Sequence, residues 1–187
     1  MMELKGVLPA VRSMKDFDKI LESSQEHIIL LETRLSQIDS MVKYAKQRNK
    51  KVLVHVDLIQ GLKADEYGIE YLIRVAKVDG LISTRNNVIS YAKKKNVTSI
   101  QRLFALDSHA LEHNIKIINT IRPDYIEILP GVVPGLIQEV YEKTGIPVIA
   151  GGLIRNKEDV QSAFENGAQA ITTSQVELWD FTTAKTK

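Results

Sequence analysis

Ile146-Pro-Val-Ile-Ala-Gly-Gly-Leu-Ile-Arg-Asn156, followed by Asn166-Gly-Ala-Gln-Ala-Ile-Thr-Thr-Ser174, is the part of the chain that decides the fold. Each half holds a short apolar run that ends in small or hydroxylated residues. The first ends at Gly151-Gly152, the second at Thr173-Ser174. Gly151 and Gly152 leave backbone N–H groups open to an approaching anion, because no side chain stands in the way. Thr173 and Ser174 add hydroxyl donors, and Arg155 adds charge. Residues 175–180 are expected to form a short helix whose dipole favours the same anion. In a (β/α)₈ barrel, the loops after the seventh and eighth strands hold phosphate in this way. The competing reading of Gly151-Gly152 is a plain strand-to-helix turn.

Six further runs precede this pair. Together the eight runs span residues 6–11, 27–32, 51–57, 80–83, 98–104, 125–130, 147–150 and 170–173. Their continuous Val, Ile and Leu content predicts strands buried on both faces, as in a parallel sheet. Amphipathic segments fill the gaps, such as Ile38–Val42–Ala45 and Leu111–Ile115–Ile118. Ser13, Ser36 and Asn156 each have an acid three residues on, a helix-start signature. Pro134 fits a first helical position, and Gly145 and Gly167 sit where helices should stop. Eight β/α repeats predict an α/β fold, a compact TIM-type (β/α)₈ barrel that binds phosphate. An open doubly wound sheet is the alternative. The 187 residues are expected to make one domain, 1–187, with its core over about 6–180 and a frayed tail at 182–187. Barrels seldom fall below ~200 residues, so one helix is expected to be replaced by a loop.

A barrel gathers its chemistry at the C-terminal ends of its strands. The sequence puts Arg12, Glu32, His55, Asp57, Arg85, Arg102, Glu127 and Arg155 there. Strand alternation places His55 and Asp57 on one face, with Asp57 nearer the mouth. Asp57 and Glu127 are candidates for an acid/base pair or for holding ligand hydroxyls. They are equally candidates for plain ion pairing with Arg85 and Arg102. No Lys lies inside a strand near its C-terminal end, which argues against Schiff-base aldolase chemistry. His109 and His113 lie four apart, but without a third ligand they predict a solvated helix face and no metal site. Residues 58–64, with Gly61, are either a lid over the mouth or a simple loop.

Cysteine is absent, which excludes disulfides and Cys-based metal or thiolate chemistry. No apolar run is long enough for a membrane span, and residues 1–6 carry no signal-peptide pattern, so a cytoplasmic protein is expected. Net charge is only +2, but it is segregated. Residues 40–56 and 80–106 contain many cations and no acid. Arg48, Lys50, Lys51, Lys93, Lys94 and Lys95 fall at helix-to-strand connections, on the barrel face opposite the phosphate site. They are candidates for an RNA surface, although Lys is also favoured at helix ends by the dipole. Aromatic content is 6%, low for base stacking, and no RNP1-type signature occurs.

Six segments then align in type and spacing: 8–12 (LPAVR), 54–59 (VHVDLI), 80–85 (GLISTR), 122–127 (RPDYIE), 129–131 (LPG) and 150–155 (AGGLIR). Through them the chain, from about residue 7 to 179, resembles the bacterial glycerol uptake operon antiterminator regulatory proteins. The resemblance implies a barrel that senses glycerol 3-phosphate and needs no cofactor. It implies action on the leader mRNA of glycerol-metabolism operons, preventing termination and stabilising the message. The Gly151–Ser174 cradle would then hold the phosphate, with Asp57 and Glu127 as candidates for the hydroxyls. Residues 58–64 and the segment after Thr173 would order around the ligand, and a homo-oligomer is compatible with this. An enzyme acting on a small phosphorylated sugar or polyol is the alternative, and a ligand-binding scaffold that recruits protein is a third.

Overall fold

The computed structural model describes residues 2–181; the expected tail at 182–187 lies outside them. The eight runs form eight parallel strands: β1 (Gly6–Val11), β2 (His27–Leu30), β4 (Lys51–His55), β6 (Gly80–Ser83), β7 (Thr98–Phe104), β8 (Tyr125–Leu129), β9 (Val148–Gly151) and β10 (Ala170–Thr173). They close in the order β1-β10-β9-β8-β7-β6-β4-β2, and β2 returns to β1. This is a TIM-type barrel, as expected.

Among the described residues seven α-helices surround it: α1 (Met14–Glu22), α2 (Leu35–Gln47), α3 (Glu66–Arg74), α4 (Asn86–Lys94), α5 (Ser108–Ile121), α6 (Pro134–Thr144) and α7 (Lys157–Glu165). Among the described residues after β10 there is only a three-residue 3₁₀ turn, Val176–Leu178. The economy expected from the chain length therefore falls at the last repeat. It also corrects the short helix expected over 175–180. Leu178 and Trp179 turn into the core, and the Trp179 indole Nε1–H donates to the Thr173 carbonyl at 3.1 Å, which holds the segment in a tight turn.

Two apolar layers hold the barrel. The outer layer packs strand residues such as Val52, Val54, Leu81 and Ile126 against helix residues such as Ile38, Leu72, Val88 and Ile118. The inner cluster fills the barrel with Leu4, Leu8, Ile29, Leu53, Ile82, Ile100, Tyr125, Ile149 and Ala170. Side chains alternate along a strand, so the next inward positions up are two residues on. There the lining turns polar: His55 above Leu53, Arg102 above Ile100, Glu127 above Tyr125 and Thr172 above Ala170. That change of polarity marks the floor of the mouth.

Ser13 and Asn156 cap their helices as expected, and Asn156 forms a full capping box with Asp159. Ser36 does not. Helix α2 begins at Leu35 with Arg34 as an N-cap that makes no side-chain bond. The reason is β3 (Thr33–Arg34), which pairs in parallel with β5 (Ile59–Gln60) and fixes where the helix can start. The same pairing reaches into residues 58–64. Ile59–Gln60 are tied to the neighbouring strand, and residues 61–64 follow as a turn and irregular loop.

Candidate functional site

A cavity of about 360 Å³ opens at the C-terminal mouth between the ends of β1, β8, β9 and β10. Two of its walls come from the two segments that decide the fold and their immediate continuation: Gly152–Arg155 on one side and Thr172–Gln175 on the other. Arg12, at the end of β1, closes a third side, and Arg102 and Glu127 form the floor. Arg12 and Arg155 are exposed and make no ion pair among the described residues.

The turn after β9 is strained. Gly152 has φ +73° and Leu153 has φ +61°, two successive left-handed residues. Leu153 pays roughly 1–2 kcal/mol for that conformation, and such strain gathers at binding sites. Gly152 is also closely packed, since a Cβ there would lie 3.0 Å from Leu129 Cδ2. Gly151 has another purpose. A Cβ on it would lie 2.6 Å from the Thr172 hydroxyl and 2.9 Å from a Glu127 oxygen. Gly151 thus makes room for the Thr172–Glu127 hydrogen bond of 2.8 Å.

Several expected donors are already engaged. The Thr173 hydroxyl donates to the Ile154 carbonyl at 3.0 Å and accepts from Gln175 N–H, so it ties the two walls together. The Arg155 N–H donates to Asp159 at 2.8 Å. Ser174 and the Arg155 guanidinium remain at the cavity. Arg12 and Gln175 were not among the expected phosphate residues, although Arg12 stood in the sequence at a strand end.

The floor is a buried polar cluster. Glu127 is 2% exposed and His55 1%. Arg102 Nε stands 3.3 Å from Glu127 Oε2, and Arg102 Nη1 stands 3.3 Å from His55 Nδ1. Because Arg102 can only donate, His55 Nδ1 is the acceptor and its proton sits on Nε2. Burial, reinforced by the Arg102 charge, pushes His55 down to about 3, so the imidazole is neutral. Burial raises Glu127, against the opposing pull of Arg102 and Thr172. Glu127 Oε2, Arg102 Nε and His55 Nε2 are all buried without a directed hydrogen bond.

Asp57 does not join this group. It lies in a 3₁₀ turn, Val56–Leu58, beyond the end of β4. Its carboxylate accepts from the Ser83 hydroxyl, from Thr84 N–H at 2.7 Å and from the Thr84 hydroxyl, and it pairs with Arg85 at 3.2 Å. Asp57 and Arg85 do not line the cavity. The two-residue alternation that would put Asp57 beside His55 ends with the strand.

On the opposite face, most candidate cations have partners. Lys93 pairs with Asp124 at 3.3 Å, Arg48 with Glu22 at 2.8 Å, and Lys95 lies over the Tyr91 ring. Lys50 is a correction: it is 7% exposed, and its ammonium donates to the Ser23 and Gln25 carbonyls. It is part of the barrel floor and unavailable to RNA. Lys51 and Lys94 are exposed. His109 and His113 lie exposed on α5, and no group of three metal-ligating side chains occurs among the described residues.

Residues 7–179 match the sequence model of the family described as glycerol-3-phosphate responsive antiterminator. The glycerol uptake operon antiterminator regulatory protein of Listeria monocytogenes superposes with a TM-score of 0.91 at 44% identity, covering 95% of this chain and 96% of that one. A glycerol uptake operon antiterminator-related protein of Thermotoga maritima gives 0.86 at 31% identity, covering 95% and 99%. The Escherichia coli K12 protein YgcP is 34% identical over 173 residues, 92% of this chain and 91% of that protein.

Proposed function

The chain belongs to the glycerol-3-phosphate responsive antiterminator family, and from that premise we propose that its barrel mouth binds glycerol 3-phosphate and controls binding of a leader mRNA. The observation that carries this is the mouth cavity itself. It is walled by the strained 152–155 turn and by 172–175, and it holds two unpaired arginines. A phosphate dianion placed there meets Arg12, Arg155 and Ser174. Arginine suits this role because its planar fork matches phosphate oxygens.

The protein acts as a cytoplasmic regulator without a cofactor. The second carboxylate expected for acid/base work, Asp57, is consumed by Ser83, Thr84 and Arg85. RNA contact is assigned first to Lys51 and Lys94. Arg48 joins them by exchanging its exposed Glu22 partner for phosphate, since exposed ion pairs contribute only about 0–1 kcal/mol; Lys95, over the Tyr91 ring, and Lys93, on the more buried Asp124, follow as secondary contacts. The ligand acts through a difference in its affinity for RNA-competent and RNA-incompetent states.

A mobility shift with leader RNA, with and without glycerol 3-phosphate, tests this. The expected result is an affinity that changes with ligand, falls steeply with salt and drops in a Lys51→Ala/Lys94→Ala variant. Equal RNA affinity at zero and saturating ligand would remove the coupling. Conversion of the phosphate compound by purified protein would favour catalysis instead.

A further inference from the structure

We infer that the Arg102–Glu127 pair on the cavity floor reads the alcohol of the ligand, accepting a hydroxyl and rejecting a carbonyl or carboxylate at the same carbon. This rests on the reading of the mouth as a glycerol 3-phosphate site.

Glu127 presents Oε2 to the floor while Oε1 is held by the Thr172 hydroxyl at 2.8 Å. Arg102 Nε is 3.3 Å away, yet neither atom makes a directed hydrogen bond. The floor therefore offers one buried acceptor, Glu127 Oε2, and two buried donors without directed bonds, Arg102 Nε–H at 3.3 Å and, farther off, His55 Nε2–H at 3.9 Å. A hydroxyl has one proton to give and lone pairs to accept with. It donates to Glu127 Oε2 and accepts from Arg102 Nε–H, so both needs are met by one oxygen. A carbonyl oxygen meets only the second and leaves a buried carboxylate oxygen without a partner. A carboxylate adds a like charge against Glu127.

The surroundings hold this arrangement in place. Thr172 fixes one Glu127 oxygen, and Gly151 supplies the space that the pair occupies. His55 accepts from Arg102 behind the floor and sets the guanidinium's height. Both floor atoms are shielded from solvent, and Arg102 is the more exposed partner at 17% against 2% for Glu127. A hydroxyl thus enters by a small shift of the Arg102 side chain along the Phe104 ring, 5.3 Å away, that uncovers Glu127 Oε2 and keeps Nε–H within reach of the new oxygen.

Isothermal titration compares sn-glycerol 3-phosphate with dihydroxyacetone phosphate, a carbonyl at C2, and 3-phosphoglycerate, a carboxylate at C1. The expected result is that at least one of these two binds about ten- to a hundredfold more weakly, the penalty for stranding a buried partner. In Glu127→Gln, whose amide can donate to an acceptor oxygen, that preference shrinks to within about threefold. Equal binding of all three compounds by the wild type overturns the assignment while leaving the phosphate site intact. A preference that persists unchanged in Glu127→Gln places the discrimination elsewhere. Failure of glycerol 3-phosphate itself to bind overturns the site reading, which is a separate outcome. If Glu127→Gln does not fold, the wild-type comparison still decides.

Discussion

His55 is a residue on which burial acts strongly. Its imidazole is pushed down to about 3 by desolvation and by Arg102, so it stays neutral in the folded protein while the unfolded chain protonates it below its ordinary value of 6.5. The unfolded state therefore binds one more proton between those limits. Stability from this group is complete above pH 6.5 and is lost as pH falls toward 3, by about 1.4 kcal/mol per pH unit. Glu127 works in the opposite sense, because its raised value lets the folded state take up a proton first. His55→Gln removes the first term alone. Urea unfolding at pH 7.5 and pH 5 should show the gap between wild type and variant narrowing by about 2 kcal/mol at the lower pH. An unchanged gap would mean that His55 titrates normally in the fold.

The same residues show how far the site could be read before the structure. Gly152, Ser174 and Arg155 do line the cavity, because their positions follow from where β9 and β10 end. Arg102 and Glu127 were found by the same rule, and the register pairs them directly. Asp57 misled because it lies past the strand, where alternation no longer predicts direction. The buried role of Lys50 was hidden for a different reason. Its partners are two carbonyls far back in the sequence, and no composition signal marks a carbonyl as needing a cation.

At the scale of elements, strand runs were the most legible feature. β1, β6, β7 and β10 begin and end where the runs do, since nearly every position of each strand is buried or half-buried, the polar Thr98, Ser99 and Gln101 of β7 included. The β3–β5 pair was not legible. Two residues at each end carry no periodicity, and only the fold brings them together. Helix α7 has the most complete cap, and that cap serves the site. Asp159 receives the Asn156 and Arg155 N–H groups and so fixes the base of the 152–155 turn. Asn156→Ala should cost about 1 kcal/mol and lower the thermal midpoint by roughly 2–4 °C, read by calorimetry. It should also weaken glycerol 3-phosphate binding, because the turn loses its anchor. A full loss of stability without any change in ligand affinity would show that the turn stands without the cap.

Across the whole molecule, one barrel presents two faces with different work. The N-terminal face is closed by repeated acid–amide–lysine units. Asp79 accepts from Val52 N–H and pairs with Lys46, and Asp124 accepts from Ser99 N–H and pairs with Lys93. The charge segregation visible along the chain is thus partly a structural device, with the lysine of one helix end matched to the acid that precedes the strand one further round the barrel. The C-terminal face keeps Arg12 and Arg155 without ion pairs among the described residues, around a cavity whose floor has unmet hydrogen-bonding capacity. This asymmetry is what supports the proposal of ligand recognition at the mouth and RNA contact on the opposite face. A crystal structure with sn-glycerol 3-phosphate tests this most directly. The account predicts the phosphate between the 152–155 turn, Ser174 and Arg12, with a ligand hydroxyl on Glu127. Phosphate seated instead in the opposite cleft of Asp79, Lys93, Thr98 and Asp124 would contradict it.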